Sequence, residues 1–241
     1  PKTVKRKLAS LKALFNYYDF EHDDFLNPFR KLRIRFKEPY VLPTVMTCNE
    51  VKEILKYLYK LRADNPDTGG YAYKAQTRDI AVVELLFATG IRVSELCELS
   101  CDAVDLKQAT IKVFGKGSKE RVIQICSVEV LKILRQYQRL FAPSKCFFIN
   151  RLGNRLSSQS VRLLIKRCRE EIGIGKKITP HTFRHTFATL LLEEDVDIKY
   201  IQNLLGHSSI TTTQIYTHVN MNKQKKILSS KHPRKKMEME E

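Results

Sequence analysis

Thr179-Pro180-His181-Thr182-Phe183-Arg184-His185 and, farther on, Leu205-Gly206-His207-Ser208-Ser209 with Tyr216 form the stretch on which the reading of this chain turns. It gathers the imidazoles of His181 and His207, the guanidinium of Arg184 and the phenol of Tyr216. Thr179 suits the N-cap of a helix and Pro180 its first position. His181 then falls in the first turn with Arg184 three residues on, so the pair is expected to project from one face. A helix start leaves amide N–H groups unpaired and favours an anion. A His and an Arg placed there describe a phosphate site. Gly206 reads as the stop of a helix begun near Asp197. His207 follows in the turn, Ser208 or Ser209 caps the next helix, and Tyr216 falls about two turns into it.

Taken singly, each residue has an ordinary explanation. A lone His is more often a satisfied polar side chain than a catalyst, and a lone helical Tyr is usually packing. His185 and His218 read that way. The ordered set is more specific than its members, and the rest of the chain extends it.

The composition points to a polyanionic partner. The 241 residues carry 43 Lys and Arg against 26 Asp and Glu, a formal charge of +17. Such an excess, clustered rather than spread, favours nucleic acid over a merely basic protein. No basic amphipathic helix joined to a lipidation signal supports a membrane surface. A hydrophobic content of 43% supports a real core. The six cysteines form no CxxC pair and no Cys/His cluster with zinc spacing, so they read as reduced and intracellular. Neither a signal peptide nor a run of about 18 apolar residues is found, and neither export nor membrane spanning is expected.

In chain order, residues 3–18 read as a helix with Leu8, Leu11, Phe15 and Tyr18 along one face. Residues 28–46 read as a linker. Pro28, Pro39 and Pro43 interrupt helix there, and Arg30, Lys31, Arg33, Arg35 and Lys37 form a basic run alternating with Leu32, Ile34 and Phe36. That run is either an edge strand with a solvated face or a strap along a DNA backbone, which positions without reading sequence. Thr47-Cys48-Asn49-Glu50 is a capping box. Helices are expected to follow from it and over 73–89, where Gly90 ends the second. Arg92 opens a short helix, Arg92-Val93-Ser94-Glu95-Leu96. An Arg beside such an apolar segment needs an anionic partner if buried, and Glu95 three residues on is the natural one.

Residues 102–126 read as a small antiparallel sheet built on Val104, Leu106, Ile111, Val113, Val122, Ile123 and Ile125. Gly115-Lys116-Gly117-Ser118-Lys119 is the hairpin between its second and third strands. It is not a nucleotide-binding P-loop, because the GxxxxGK[ST] spacing is absent. Helices over 127–141 and 158–172 come next. Arg162, Lys166, Arg167 and Arg169 give the second a basic side, which is solvated, set against phosphates or on a helix entering the major groove.

With these residues in hand, the chain resembles the tyrosine recombinase family, also called phage-type integrases. That family carries an early Arg, a Lys in a β-turn, His-x-x-Arg, a later His or Trp, and a Tyr. Arg92, Lys116, His181 with Arg184, His207 and Tyr216 match in order, over about residues 47–221. The resemblance implies a mainly α fold with a small three-stranded antiparallel sheet. It implies the C-terminal portion of a helical core-binding domain at 1–27, a basic linker at 28–46, the catalytic domain at 47–221, and a tail at 222–241 that is a candidate for subunit exchange.

It also implies roles. Tyr216 is the nucleophile, Arg92, Arg184 and His207 bind the scissile phosphate, and His181 takes the tyrosine proton. Glu95 is an accessory residue, and Lys116 is the general acid, with Lys119 the alternative. Arg30, Lys31, Arg33, Arg35, Lys119, Arg162 and Lys166 are the candidate DNA contacts. No cofactor and no metal are expected. The expected partners are double-stranded DNA at a specific site, three further copies of the chain in a tetramer, and accessory proteins, in the cytoplasm at the nucleoid. Two other readings share the residues: a type IB topoisomerase that rejoins the same strand, and a noncatalytic DNA-binding protein of the same fold.

Overall fold

The computed structural model describes residues 2–32, 43–114 and 120–206, and the chain divides into two units, Pro1–Leu42 and Pro43–Glu241. Lys116, Lys119, His207 and Tyr216 lie outside the described residues, as do Arg33 and Arg35. Mainly helical structure with one small antiparallel sheet is what the sequence led us to expect.

The first unit is built on α1, Lys2–Glu21. Phe15 meets the rings of Phe25 at 5.9 Å and Phe29 at 5.3 Å, folding the chain after the helix back against it. Arg30 completes that return by pairing with Asp19 at 2.9 Å. Leu11 and Tyr18 are exposed, as are Leu14, Tyr17 and Phe20.

In the second unit, Thr47 and Glu50 form the capping box of α2, Cys48–Ala63. The hub is α3, Tyr71–Thr89, where Ile80, Ala81, Val82, Val83, Leu85 and Leu86 are all fully buried. A helix apolar all round must be surrounded, and α3 touches α2, α4 (Val93–Glu98), α5 (Val128–Phe141), α6 (Ser158–Ile172) and α7 (Pro180–Glu193). It ends at Gly90 in the left-handed region, φ 59°. A Cβ there would stand 2.6 Å from Cδ1 of Phe187, so glycine also permits the close approach of α7.

The short α4, Val93–Glu98, leads through a 3₁₀ turn at Cys101–Ala103 into the sheet. Its strands are β1 Val104–Asp105, β2 Thr110–Phe114 and β3 Glu120–Gln124, in that order. β1 is short because the Asp105 carboxylate accepts the backbone N–H groups of Lys107 and Gln108, which starts a turn and leaves Leu106 outside the strand. Then come α5 Val128–Phe141 and α6 Ser158–Ile172. Between them Tyr137 ties down an apolar corner: its hydroxyl donates to the Phe147 carbonyl at 2.8 Å and accepts from the Ile149 N–H at 3.0 Å.

The last described helices are α7, Pro180–Glu193, and α8, Ile198–Leu205. Thr179 caps α7 with Pro180 at its start, and Asp197 caps α8. Ile201 and Leu205 of α8 bury against Ala188 of α7. The chain entering this unit is also fixed to α7: the Met46 N–H donates to Thr186 Oγ1 at 2.8 Å in a buried setting. Lys176 adds a bond to the Val45 carbonyl at 2.7 Å and an ion pair with Glu50 at 2.6 Å. Among the described residues no helix is long and apolar enough to cross a membrane.

Candidate active site

Arg92 is held at a sharp exit. After Gly90 the Thr89 hydroxyl accepts the Ile91 N–H, and Arg92 takes the extended N-cap conformation of α4. The Glu95 carboxylate, one turn on, accepts the Arg92 backbone N–H at 3.0 Å and its Nη1 at 2.6 Å. Glu95 was expected as the anionic partner of Arg92, and that ion pair is present. The same carboxylate takes both Nη atoms of Arg121 on β3, at 3.0 and 2.7 Å. Glu95 is buried. Burial raises a carboxylate's pKa, but here the donors from Arg121 and Arg92 outweigh it and hold Glu95 below its ordinary value.

Three arginines then close on the end of one helix. The last carbonyls of any helix lack intrahelical partners and carry the negative end of its dipole. At α8, Arg121 Nε donates to the Leu204 carbonyl at 3.2 Å, Arg184 Nη2 to Leu205 at 2.6 Å and Arg92 Nη2 to Gly206 at 3.0 Å. Three successive oxygens are met from β3, α7 and the N-cap of α4. Gly206 adopts φ 64°, and a Cβ there would lie 2.9 Å from Arg121 Nη1.

Arg184 and His181, three residues apart on α7, differ in burial. Arg184 turns inward, is buried, and also donates Nη1 to the Gly90 carbonyl at 2.7 Å. His181 stays open to solvent. The protein mass around its ring lowers its pKa, and the charges of Arg184, Arg162 and Arg92 push the same way. A ring so placed is neutral at neutral pH and able to accept a proton. His185 is brought to about 4 by burial, with His181 and Arg184 adding to it.

The structure therefore brings Arg92, Glu95, His181 and Arg184 together, with Arg162 on α6 in electrostatic reach. Arg162 and Lys166 are exposed on α6; Lys166 lies 3.9 Å from Glu170, Arg167 pairs with Asp79 and Arg169 with Glu170. Lys31 is exposed, while Arg30 is engaged with Asp19. β2 and β3 pair up to Phe114 and Glu120, and the expected hairpin at 115–119 lies outside the described residues. Among the described residues no group of three or more His, Cys, Asp or Glu is placed to hold a metal.

Arg121 was not found from the sequence, yet a signal was there. Ile111, Val113 and Ile123 are buried while Val122 and Phe114 are exposed, and Arg121 pairs with Val113. Strand alternation thus sets a charged residue on the core face, where a guanidinium demands an acidic partner.

Chemically, the site offers fixed guanidinium groups, a neutral imidazole and one buried carboxylate that orients them. This set suits binding of an oxyanion whose charge grows during reaction. The phage integrase family model matches residues 44–223. A tyrosine recombinase of Agathobacter rectalis is 49% identical over 98% of this chain and 78% of its own length. The tyrosine recombinase XerC of Thermodesulfovibrio yellowstonii is 38% identical, covering 96% of this chain and 76% of that relative. Among solved structures, the XerA recombinase matches at TM-score 0.65 and 32% identity, over 80% of this chain and 67% of that one. The XerH recombinase in its pre-cleavage complex with difH DNA matches at TM-score 0.74 and 25% identity, over 94% and 64%.

Proposed function

Because this chain belongs to the phage integrase family and is a tyrosine site-specific recombinase, we propose that it cleaves and rejoins DNA through a 3′-phosphotyrosyl link at Tyr216. The observation that carries this assignment of residues is the convergence of Arg92 and Arg184 on the consecutive carbonyls of Gly206 and Leu205, immediately before His207.

A free phenol has a pKa near ~10 and is a weak nucleophile at neutral pH without help. His181, kept neutral, takes the Tyr216 proton as its oxygen attacks phosphorus. The bond from phosphorus to the tyrosine oxygen forms while the bond to the 5′ oxygen breaks. Lys116 gives that oxygen its proton. Arg92, Arg184 and His207 hold the nonbridging oxygens, and arginine suits the task because it stays charged and forks two donors. Glu95 orients Arg92. The phosphodiester energy remains in the protein–DNA bond, so attack by a second 5′-hydroxyl reverses the sequence without ATP and exchanges strands.

Two such rounds pass through a Holliday junction, which calls for four protomers on paired recombination sites, with accessory proteins, in the cytoplasm at the nucleoid. Residues 1–27 contribute the last portion of a helical core-binding domain, 28–46 the basic linker and 47–221 the catalytic domain. Lys31, Arg33, Arg35, Lys119, Arg162 and Lys166 contact DNA phosphates, with Arg30 at the start of the same basic run. Within the tail at 222–241, residues 222–230 dock on a neighbouring subunit.

The test is covalent trapping. The chain is incubated with fragmented genomic DNA, stopped with SDS, and the attached DNA is sequenced. Wild type is expected to yield adducts that share a site, while Tyr216→Phe binds DNA and yields none. An adduct persisting in Tyr216→Phe overturns the assignment of the nucleophile.

A further inference from the structure

We propose that Arg121 is a positioning residue that sets the pose of the Arg92 guanidinium and holds the end of α8. The inference rests on the reading of this site as the one that binds the scissile phosphate.

The strand register forces the arrangement. Val113 pairs with Arg121 and Ile111 with Ile123, and these four residues share the face of the sheet turned to the core. The Arg121 side chain keeps only 13% of its surface exposed. All three of its nitrogens find acceptors, Nη1 and Nη2 on the two oxygens of Glu95 and Nε on the Leu204 carbonyl. One side chain therefore ties β3 to α4 and to α8 at once.

The consequence for Arg92 follows from competition for one carboxylate. A guanidinium and a carboxylate prefer the two-point fork. Arg121 takes that fork, so the Arg92 side chain reaches Glu95 through Nη1 alone and its Nη2 goes to the Gly206 carbonyl. In that pose Arg92 keeps 30% of its side chain open to an incoming anion. Without Arg121, Glu95 is free to take Arg92 by the fork and draw it off Gly206. The α8 terminus loses its hold on the Leu204 carbonyl in the same step, just ahead of His207.

Glu95 faces Arg92 from its own segment and Arg121 from β3. The cleft beside it carries Glu98 of α4, Lys112 of β2 and Arg155 of the segment before α6. Removing Arg121 takes away a fork of charge-assisted donors, so the buried carboxylate gains a proton more easily as pH falls. A protonated Glu95 holds Arg92 poorly.

The experiment compares wild type, Arg121→Ala, Arg121→Lys, Glu95→Gln and Arg121→Ala/Glu95→Gln. The probe is a nicked duplex carrying the site recovered from the trapped adducts. Adduct formation is timed at saturating DNA from acid to neutral pH, and DNA affinity is measured separately. Arg121→Ala is expected to cleave about 100-fold more slowly, the scale of a misplaced catalytic group, with affinity little changed. Its rate falls further as pH drops, and Glu95→Gln in the same chain removes that added dependence. Arg121→Lys keeps the charge without the fork and recovers only part of the rate.

A wild-type rate and pH profile in Arg121→Ala overturns the proposal, as does a slow variant whose pH profile matches wild type, since that marks a structural role. Should Arg121→Ala not fold, Arg121→Lys decides: an unchanged rate overturns the proposal, and a reduced rate with a shifted pH profile supports it. Absence of adducts from wild type removes the phosphate-site reading and this inference with it. Wild-type adducts with an indifferent Arg121 remove this inference alone.

Discussion

Arg184 donates to the carbonyl of Gly90, the residue that ends α3, at 2.7 Å. Its other terminal nitrogen reaches the Leu205 carbonyl at the end of α8. One buried guanidinium thus bridges the stops of two helices from the second turn of a third, a task suited to a planar, two-ended donor. Arg184→Lys is expected to leave one carbonyl unmatched. The cost is about 1–3 kcal/mol of stability, read by denaturant unfolding. Cleavage is expected to fall by about 100-fold or more, as when a donor to a reacting oxyanion is removed, read as the rate of adduct formation.

Gly90 makes a second test. Its φ of 59° disfavours any side chain, and an added Cβ meets the ring of Phe187 and, at 2.9 Å, a methyl of Leu205. Gly90→Ala is expected to destabilise by roughly 1–3 kcal/mol from backbone strain and overpacking together. Because the Gly90 carbonyl is an acceptor of Arg184, the loss of cleavage should exceed what the unfolded fraction explains. Thermal melting and adduct rates on one preparation separate the two effects.

His185 predicts how stability responds to acid. Its imidazole lies below the ordinary 6.5, at about 4, because burial disfavours the cation and His181 and Arg184 add to it. Between those values the unfolded chain binds the proton and the folded chain does not. The stability from keeping His185 neutral is therefore full above about 6.5 and declines as pH falls towards about 4. The drop from 6.5 to about 4 corresponds to about 3 kcal/mol at 1.36 kcal/mol per pH unit. Unfolding curves across this window should flatten in His185→Gln relative to wild type.

Lys116 is tested through the leaving group. Lys116→Ala is expected to cleave an ordinary strand poorly and a strand with sulfur at the bridging 5′ position well, since a thiolate departs with little acid assistance. The measurement is adduct formation on the two substrates. If Lys119→Ala is the variant so rescued, the proton comes from Lys119 instead.

Local chemistry was legible in the sequence. Thr47 and Glu50 announced α2, Thr179 and Pro180 announced α7, and Gly90 and Gly206 marked helix ends, because each signal acts within a few residues. The proposed site residues were picked for a different reason, as an ordered set that resembles a family's. Contacts made across the fold were not. Arg121 meets Glu95 across 26 positions and Leu204 across 83, and no periodicity encodes such meetings. His181 and Arg184 were expected on one face from their spacing, and they differ in burial. Spacing is silent on the two acceptors, at Gly90 and Leu205, that draw Arg184 inward. Leu11 and Tyr18 were placed along one face by their period, which does not say whether that face is buried, and both are exposed.

The tie between Met46 and Thr186 has a mechanical meaning. A buried amide leans on one hydroxyl of the helix that presents His181 and Arg184, with Lys176 gripping the peptide just ahead of it. Displacing that peptide therefore breaks two hydrogen bonds at once, one to α7 and one to Lys176, so the chain enters this unit along a fixed path.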